Sequence, residues 1–325
     1  MTDTTWLLSV EDVSIYFKRQ GAEGLKVVNS ISFGVQRGEI FGVVGESGCG
    51  KSVTAAAIMG ILPQNAYYEG DIYFEGQRLS SLTQEQQRGL RGNKISMIFQ
   101  EPMTSLNPVL TVGYQIAEVL MVHRGLSKRD AMERAVGLLD DVKIPSPTLR
   151  IRDYPHQMSG GMRQRVMIAM AIACNPALVL ADEPTTALDV TVQRDVLKLL
   201  RGIQERFNMS MVLITHDLGL VSENAARVAI MYAGRIMETA DTQTLFKRPG
   251  HPYTTGLLNS IPKGRNIPLI PIPGFVPKPD MLPDGCKFSD RCGLVEKKCK
   301  EAEPELIEIE PGHFARCILT GKGGA

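Results

Sequence analysis

The sequence predicts an α/β fold built around a mainly parallel β-sheet. Two observations predict it. Five short apolar runs, rich in β-branched residues, have the composition of buried strands, and each leads through a loop into a helical pattern. These runs occupy residues 39–45, 94–100, 177–183, 211–217 and 227–234. Strands that alternate with helices form parallel sheets, because each helix returns the chain to the edge where the last strand began.

Two helices are predicted from apolar residues at helical spacing. The first lies between the third and fourth strands, where Asp189 is placed to cap its start. Its apolar face holds Val192, Val196, Leu199, Leu200 and Ile203. The second begins at Ser127, with Asp130 three residues on. Its stripe holds Ala131, Ala135, Leu138, Leu139 and Val142. Residues 102–160 lack convincing strand patterns and are interpreted as a helical insertion.

Proline content separates the last part of the chain from the rest. From Pro249 onward lie 11 of the 19 prolines, a density that prevents long helices and central strands. We therefore predict a main domain over residues 1–248 and an appendage over residues 249–325. The appendage is expected to be extended and stabilised by something other than a large core.

Composition narrows the class of protein. The chain has 36 Lys and Arg against 35 Asp and Glu, which does not indicate a surface for nucleic acid or anionic membranes. The N-terminus shows no export signal. The longest apolar stretches, such as residues 166–174, are about half of the ~20 residues that cross a bilayer. A soluble, cytoplasmic chain is expected, and there clustered cysteines favour a metal site over disulfides.

Residues 45–52, "GESGCGKS", follow an apolar strand and precede a helical run. This pattern is typical of a loop whose backbone N–H groups surround phosphate oxygens. Lys51 would reach the β- and γ-phosphates and Ser52 would ligate Mg²⁺. The alternative is a glycine-rich turn with a chance lysine. The predicted cradle consists of Gly45, Ser47, Gly48, Cys49 and Gly50, with Cys49 interpreted as a small loop residue.

Polar residues end three of the predicted strands. Asp182 would hold Mg²⁺ and Glu183 would polarise the attacking water. Two adjacent acids could instead form a solvated turn, an alternative that the phosphate loop disfavours. His216 is placed to contact the γ-phosphate, and Gln100 could sense the metal or the water; a strand-end histidine is more often merely structural, and neither residue is strong evidence alone. Together these residues predict an ATP hydrolase.

Residues 158–176, "MSGGMRQRVMIAMAIACNP", supply a second anion site. Ser159, Gly160 and Gly161 begin a helix, where N–H groups are available and the helix dipole favours negative charge. Its apolar face is predicted from Val166, Ala169, Met170 and Ala173. Two such helix ends in one chain are explained if two chains pack head to tail, each completing the nucleotide site of the other.

In order and spacing, these motifs resemble the ATP-binding-cassette (ABC) ATPases over roughly residues 8–245. The resemblance implies a P-loop NTPase fold in which Ser159 and Gly161 contact the γ-phosphate held by the partner subunit. It implies that Asp189, in "ALD" (187–189), communicates across the dimer. It also implies an adenine-stacking aromatic in the first strand, Phe17 by position, with Tyr16 as the alternative. Met158 departs from the leucine most common in the signature, with little effect expected, and Met162 replaces a frequent glutamine.

The stretches "FQEPMTSLNPVLTVGYQI", "ADEPTTALDVTVQ" and "HPYTTGLL" resemble the dipeptide/oligopeptide importer branch. The resemblance implies a subunit on the cytoplasmic face of two membrane permeases, a second non-identical ATPase and an external binding protein. The helical insertion would receive a permease coupling helix, with the Gln100 loop as hinge. Nickel, a metallophore, glutathione or another small cargo remains an alternative to peptides. A soluble ABC ATPase acting on DNA or ribosomes is disfavoured by the single cassette and the balanced charge.

Four of the six cysteines lie near the end of the chain, at positions 286, 292, 299 and 317. Their spacing differs from common zinc and ferredoxin patterns, and leaves a four-thiolate metal site, unlinked thiols or disulfides open. Basic residues could offset thiolate charge, namely Lys287, Arg291, Lys297, Lys298, Lys300 and Arg316. Resemblance to the importer branch implies a [4Fe–4S] centre on Cys286, Cys292, Cys299 and Cys317, expected to clamp the appendage onto the cassette.

Overall fold

The structure is a computed structural model of the chain and describes residues 6–19, 21–186, 188–261 and 271–320. Expectations that concern the first five residues, Ala187 of "ALD" or residues 262–270 of the proline-rich run lie outside the described residues. None of the helices in the described ranges is long and apolar enough to cross a membrane.

The strands in chain order are β1 (Trp6–Arg19), β2 (Ala22–Gln36), β3 (Ile40–Val44), β4 (Ala66–Phe74), β5 (Gln77–Arg78), β6 (Ile95–Ile98), β7 (Leu178–Asp182), β8 (Ser210–Thr215), β9 (Arg227–Tyr232), β10 (Arg235–Asp241), β11 (Ile307–Glu310) and β12 (His313–Ala315). The helices are α1 (Lys51–Met59), α2 (Gln84–Leu90), α3 (Pro102–Ser105), α4 (Val112–Arg124), α5 (Lys128–Asp141), α6 (Pro147–Arg150), α7 (Gly160–Ile172), α8 (Val190–Phe207), α9 (Leu218–Asn224), α10 (Thr242–Lys247), α11 (Pro252–Asn259) and α12 (Lys297–Glu301). Short 3-10 turns lie at Leu79–Ser81, Pro155–Gln157 and Ser289–Arg291.

The chain divides into two compact units. The first unit comprises Met1–Val35, Ile40–Ser80 and Ile214–Ala325. The second comprises Gln36–Glu39 and Ser81–Leu213. The boundary that the proline content predicts, between residues 248 and 249, stays a prediction.

The first unit contains an antiparallel sheet with the strand order β2-β1-β4-β5. In β1 the pairing with β4 shifts register between Glu11 and Ser14, where Asp12 has a φ of 48°. This bulge interrupts the alternation of inward and outward side chains. The apolar runs of the sequence therefore do not predict this sheet, and only the resemblance implied a first strand, the one that contains Phe17.

The same unit also holds the predicted strands β3 and β9, which pair in parallel. All five residues of β3 are buried, as expected for a strand covered on both faces. β10 adds antiparallel to β9, and the hairpin β11–β12 adds antiparallel to β10, with Glu238 opposite Ala315.

The second unit contains the parallel pair β6 and β7 and most of the helices. Asp189 caps α8 and Ser127 caps α5 through their side chains, as the sequence predicts. The five stripe residues of α5 are buried. On α8, Val196, Leu200 and Ile203 are buried. Residues 102–160 form α3 to α6 and one 3-10 turn, without a strand. The α/β fold class is therefore confirmed.

The appendage is more structured than the proline content indicates. It contributes two helices, α11 and α12, and the hairpin that extends the sheet. Tyr253 and Phe288 pack with Tyr232 of β9 in an aromatic cluster, with ring centroids 4.7 to 5.3 Å apart. All three side chains are buried. The expectation of an extended appendage is therefore wrong for these segments. Short helices and a hairpin form despite the prolines, because each of them needs only a few residues.

Candidate active site

The phosphate loop connects β3 to α1. Gly50 precedes the helix with a φ of 106°, which favours glycine because it is a backbone conformation that L side chains rarely adopt. A Cβ atom at Gly45 would lie 2.0 Å from the carbonyl oxygen of Met231, so that position also requires glycine. Ser47, Gly48 and Ser52 are exposed. The loop is thus fixed by close packing at its start, while Ser47 and Gly48 at its tip and the side chain of Ser52 in α1 are exposed.

Lys51 is the first residue of α1 and is buried. Its Nζ donates to the carbonyl oxygens of Gly45, at 2.7 Å, and Glu46, at 3.1 Å. These bonds hold the ammonium group inside the curve of the loop, where it could bind a phosphate group. Cys49 is also buried, and burial raises the pKa of its thiol despite the opposing charge of Lys51. This agrees with its interpretation as a loop residue.

Two aromatic residues near the end of β1 are candidates for stacking on adenine. The Tyr16 ring already stacks on Tyr67, with centroids 5.1 Å apart and planes 9° from parallel. Lys26 places its Nζ 5.0 Å from the centroid of the same ring. Phe17 is half-buried and, as the next residue along the strand, points to the opposite face. The two side chains thus lie on opposite faces of β1, and the choice of Phe17 as the residue that stacks on adenine stays a prediction.

The carboxylates at the end of β7 lie in the second unit. Asp182 is buried, and Glu183 follows it with a φ of 45°, a conformation that costs free energy for a side-chain-bearing residue. Gln100 Nε2 donates to Glu183 Oε2 at 3.3 Å, and Thr186 Oγ1 donates to the same oxygen at 2.8 Å. The structure thus brings together Gln100 and Glu183, both predicted from strand ends. Thr186 was missed, although it lies three residues after Glu183 in "DEPTT".

The signature residues begin α7 in the same unit. The Ser159 side chain accepts a hydrogen bond from the Met162 backbone N–H at 3.3 Å and so caps the helix. Met158 is buried, as expected for a residue in the place of leucine. A Cβ atom at Gly161 would lie 3.0 Å from Val192 of α8, so glycine there allows the two helices to approach. Met170 is only half-buried, and the buried surface of α7 is wider than the predicted face.

Asp189 and His216 occupy the ends of other elements. Asp189 Oδ1 accepts from the backbone N–H groups of Thr191 and Val192, at 3.1 and 3.0 Å. His216 follows β8 and is exposed. The phosphate loop, Phe17 and His216 therefore belong to the first unit. Gln100, Asp182, Glu183, the signature and Asp189 belong to the second.

Known proteins resemble the chain in sequence over nearly its whole length. The model of the family "ABC transporter" matches residues 28–186, and that of "Oligopeptide/dipeptide transporter, C-terminal region" matches residues 237–299. The oligopeptide transport ATP-binding protein AppD of Bacillus subtilis is 48% identical over 98% of both chains. The dipeptide transport ATP-binding protein DppD of Escherichia coli is 46% identical over 96% of both chains.

The chain belongs to the ABC transporter ATPases. ATP and Mg²⁺ are therefore expected at its nucleotide site. A solved structure agrees in fold: the ATP-binding cassette MJ0796, in a dimeric post-hydrolysis state with ADP and Pi, has a TM-score of 0.64. It is 27% identical and covers 72% of this chain and 98% of its own. The predicted family and its importer-type C-terminal region are confirmed.

The four clustered cysteines of this ABC ATPase line one cavity in the first unit. Cys286, Cys299 and Cys317 are buried, Cys292 is half-buried, and none of the four is in a disulfide. Burial, with a smaller contribution from the three neighbouring thiols, raises the pKa of Cys286 to about 11. Within the described ranges, however, no three His, Cys, Asp or Glu side chains are arranged to hold a metal ion. The [4Fe–4S] centre on these thiols therefore stays a prediction.

Basic side chains near these cysteines have other partners than the prediction gave them. The Arg291 guanidinium pairs with Glu46, and Lys287 donates to the carbonyl oxygen of Pro283. Arg316 donates to two backbone carbonyl groups, those of Ile236 and Pro304. Arg316 also interacts electrostatically with Cys286, so the role of the basic residues in offsetting thiolate charge stays a prediction.

Proposed function

We propose that this chain is the ATP-hydrolysing subunit of an ABC importer that drives the uptake of di- and oligopeptides. The observation that carries the hydrolytic step is the hydrogen bonding of Glu183, whose carboxylate is fixed by Gln100 and Thr186 directly after Asp182. A carboxylate held in this way can orient a water molecule and accept its proton. The match to the peptide-transporter C-terminal region and the names of the relatives support peptides as the cargo.

The residue roles follow from the chemistry of each group. Lys51 and the loop N–H groups would bind the β- and γ-phosphates, and Phe17 would stack on adenine. Ser52, Gln100 and Asp182 would hold Mg²⁺, which when bound neutralises charge on the phosphates. His216 would contact the γ-phosphate. Ser159, Gly160 and Gly161 would complete the nucleotide site of a second subunit, with Asp189 communicating between the two.

The proposed assembly is a head-to-tail pair with a second, non-identical ABC ATPase on the cytoplasmic face of the cell membrane. Two permease subunits would contact the helical insertion, and an external binding protein would deliver the cargo. Copurification of the four membrane-associated subunits tests this composition. If the chain instead purifies with DNA or ribosomes, the transport function is wrong.

The catalytic assignment is tested by Glu183→Gln. We expect the ATP hydrolysis rate to fall about 10²- to 10⁴-fold, because the general base is lost, while the Kd for ATP stays close to that of the wild type. Glu205→Gln is a matched control, since that carboxylate is 63% exposed and pairs with Arg201 on the same unit. A Glu183→Gln protein that hydrolyses ATP as fast as the control would contradict the assignment. Lys51→Ala should instead weaken nucleotide binding.

The cargo is tested in the complete transporter with the cognate binding protein. Peptides should bind that receptor and be taken up with ATP hydrolysis. Binding of nickel, a metallophore or glutathione, with no binding of peptides, would replace the peptide assignment and leave the ATPase assignment intact.

For the four thiols, we propose a [4Fe–4S] centre that fixes the appendage. What supports it is that the four side chains converge on one cavity and that three of them are buried. An iron–sulfur cluster bonds each thiolate to a different iron, so it does not need the close spacing of a single-ion site. Protein purified without oxygen should hold about four iron and four sulfide per chain. Each Cys→Ser change should lower that yield, and zinc without iron would overturn the proposal.

A further inference from the structure

Glu46, the second residue of the phosphate loop, is bonded through all three of its polar groups. Its carbonyl oxygen accepts from Lys51 Nζ at 3.1 Å. Its backbone N–H donates to the Tyr253 hydroxyl at 3.1 Å, and its carboxylate pairs with Arg291 Nη1 at 2.9 Å. Tyr253 and Arg291 both come from the C-terminal region, more than 200 residues away in sequence. The phosphate loop is therefore held from the appendage at one residue.

Arg291 is itself fixed by its surroundings. Its side chain is 5% exposed. Its Nε donates to the carbonyl oxygen of Pro273 at 2.8 Å, and its guanidinium lies 5.6 Å from the Tyr232 ring centroid and 5.9 Å from that of Phe288. Burial alone would lower the pKa of Arg291, but its bonds to Glu46 and Tyr232 outweigh that effect and the pKa is raised. The cation is thus permanent, and its position is set by several contacts at once.

Tyr253 approaches the same residue from α11. Its side chain is completely buried in the aromatic cluster with Tyr232 and Phe288. Burial raises the pKa of Tyr253, and the nearby Glu46 carboxylate raises it further. The hydroxyl group therefore stays protonated at any physiological pH, as a neutral partner for the Glu46 N–H. A rigid aromatic ring places this hydroxyl with little freedom to move.

We propose that Arg291 and Tyr253 are positioning residues for ATP binding, which act by fixing Glu46 and, through its carbonyl group, the ammonium group of Lys51. This inference rests on the proposed function, since it assigns the phosphate loop to ATP. Because Arg291 directly precedes Cys292, the proposal also means that the segment that carries the cysteines helps to position the nucleotide site. Neither residue touches the phosphates; each acts through Glu46.

The test compares Arg291→Gln with Arg248→Gln in the full-length chain. Arg248 is a matched control, because its guanidinium is 64% exposed and pairs with Glu310 on the same C-terminal region. Two quantities are measured: the Kd for a fluorescent ATP analogue with Mg²⁺, and the amide hydrogen exchange of residues 45–51 without nucleotide. For Arg291→Gln we expect the Kd to rise about tenfold, which corresponds to about 1.4 kcal/mol, with faster exchange in the loop. Arg291→Lys should recover part of the loss, since charge is kept but the planar contacts are not.

A double-mutant cycle separates positioning from a general loss of stability. If Arg291 acts through Glu46, then Glu46→Gln combined with Arg291→Gln weakens binding no more than Arg291→Gln alone. Additive losses, or unchanged exchange in residues 45–51, would overturn the proposal. Should Arg291→Gln not fold, Tyr253→Phe removes the hydroxyl and keeps the ring, and a Kd equal to the wild-type value would then overturn the role of Tyr253. If Arg291→Gln speeds loop exchange but the wild-type protein binds no ATP, the proposed function is refuted while the role of Arg291 in positioning the loop is retained.

Discussion

The carboxylate of Glu238 is the clearest place to test how the appendage is attached. Glu238 lies in β10 and is 0% exposed. Its Oε1 accepts from the Gly250 backbone N–H at 2.6 Å and from His313 Nε2 at 2.8 Å. Its Oε2 accepts from the His251 backbone N–H at 2.9 Å. One buried carboxylate therefore joins the sheet, the start of the appendage and the C-terminal hairpin.

We predict that Glu238→Gln lowers the free energy of unfolding by about 2–4 kcal/mol. The glutamine amide has one acceptor oxygen, while three donors face this position. In either orientation its NH₂ group meets an N–H group, and at least one buried donor is left without a partner, which costs about 1–3 kcal/mol. The bonds that remain also lose the contribution of a charged acceptor, worth about a further 1 kcal/mol.

The assay is thermal unfolding, with hydrogen exchange to locate the change. A loss of this size should lower the apparent Tm by about 4–8 °C, at roughly 2 °C per kcal/mol for a chain of this length. Exchange should increase first at residues 250–251 and 313–315. Glu310→Gln is the control in the same hairpin, because its pair with Arg248 is exposed on both sides and contributes about 0–1 kcal/mol. If Glu238→Gln and Glu310→Gln unfold at the same temperature, the reasoning about unsatisfied buried donors is refuted.

Three further predictions concern single positions. Asp189→Ala should destabilise α8 by about 1 kcal/mol, measured by urea unfolding, since two backbone N–H groups lose their cap. Gly45→Ala should abolish ATP binding, because its Cβ would lie 2.0 Å from the Met231 carbonyl oxygen, whereas Gly202→Ala, with nothing within 4 Å, should bind normally. Burial lowers the pKa of His251 to about 3, so the unfolded state takes up a proton first. Stability should fall as the pH drops from about 6.5 towards 3, by up to about 1.4 kcal/mol per pH unit, and His251→Asn should lessen that slope in acid unfolding curves.

The strands that sequence reasoning found and those it missed differ in regularity. β3, β7 and β9 are short, nearly continuous apolar runs, because a parallel strand is covered on both faces. β1 is 14 residues long and carries a bulge at Asp12 that breaks its alternation. Its partner β4 alternates between exposed and half-buried residues over most of its length. Neither strand therefore shows the short, continuous apolar run that identifies a buried strand in the sequence.

The residues of the candidate site differ in the same respect. Some could be predicted from the local sequence, whereas the contacts of others depend on the tertiary fold. Glu183 and Gln100 could be predicted because residues at the ends of neighbouring parallel strands meet at one edge. Sequence order placed Arg291 beside the thiols, but its guanidinium pairs with Glu46, which lies 245 residues away in the sequence. The position of Arg291 next to Cys292 in the sequence fixes only where its backbone lies. Its long side chain extends to a partner in another segment of the chain.

The contacts of Glu46 would allow the proline-rich segment to position the nucleotide loop without a large shared surface. A loop that binds phosphate must keep its N–H groups directed outward, so it has few side chains with which to anchor itself. Glu46 provides that anchor through an ion pair of low exposure and one hydroxyl bond. Because Lys51 is bonded to the carbonyl group of the same residue, any displacement of Glu46 moves an acceptor of the phosphate-binding lysine. Coupling between appendage and loop therefore requires one residue to shift, and a rigid-body movement of the whole appendage is not needed.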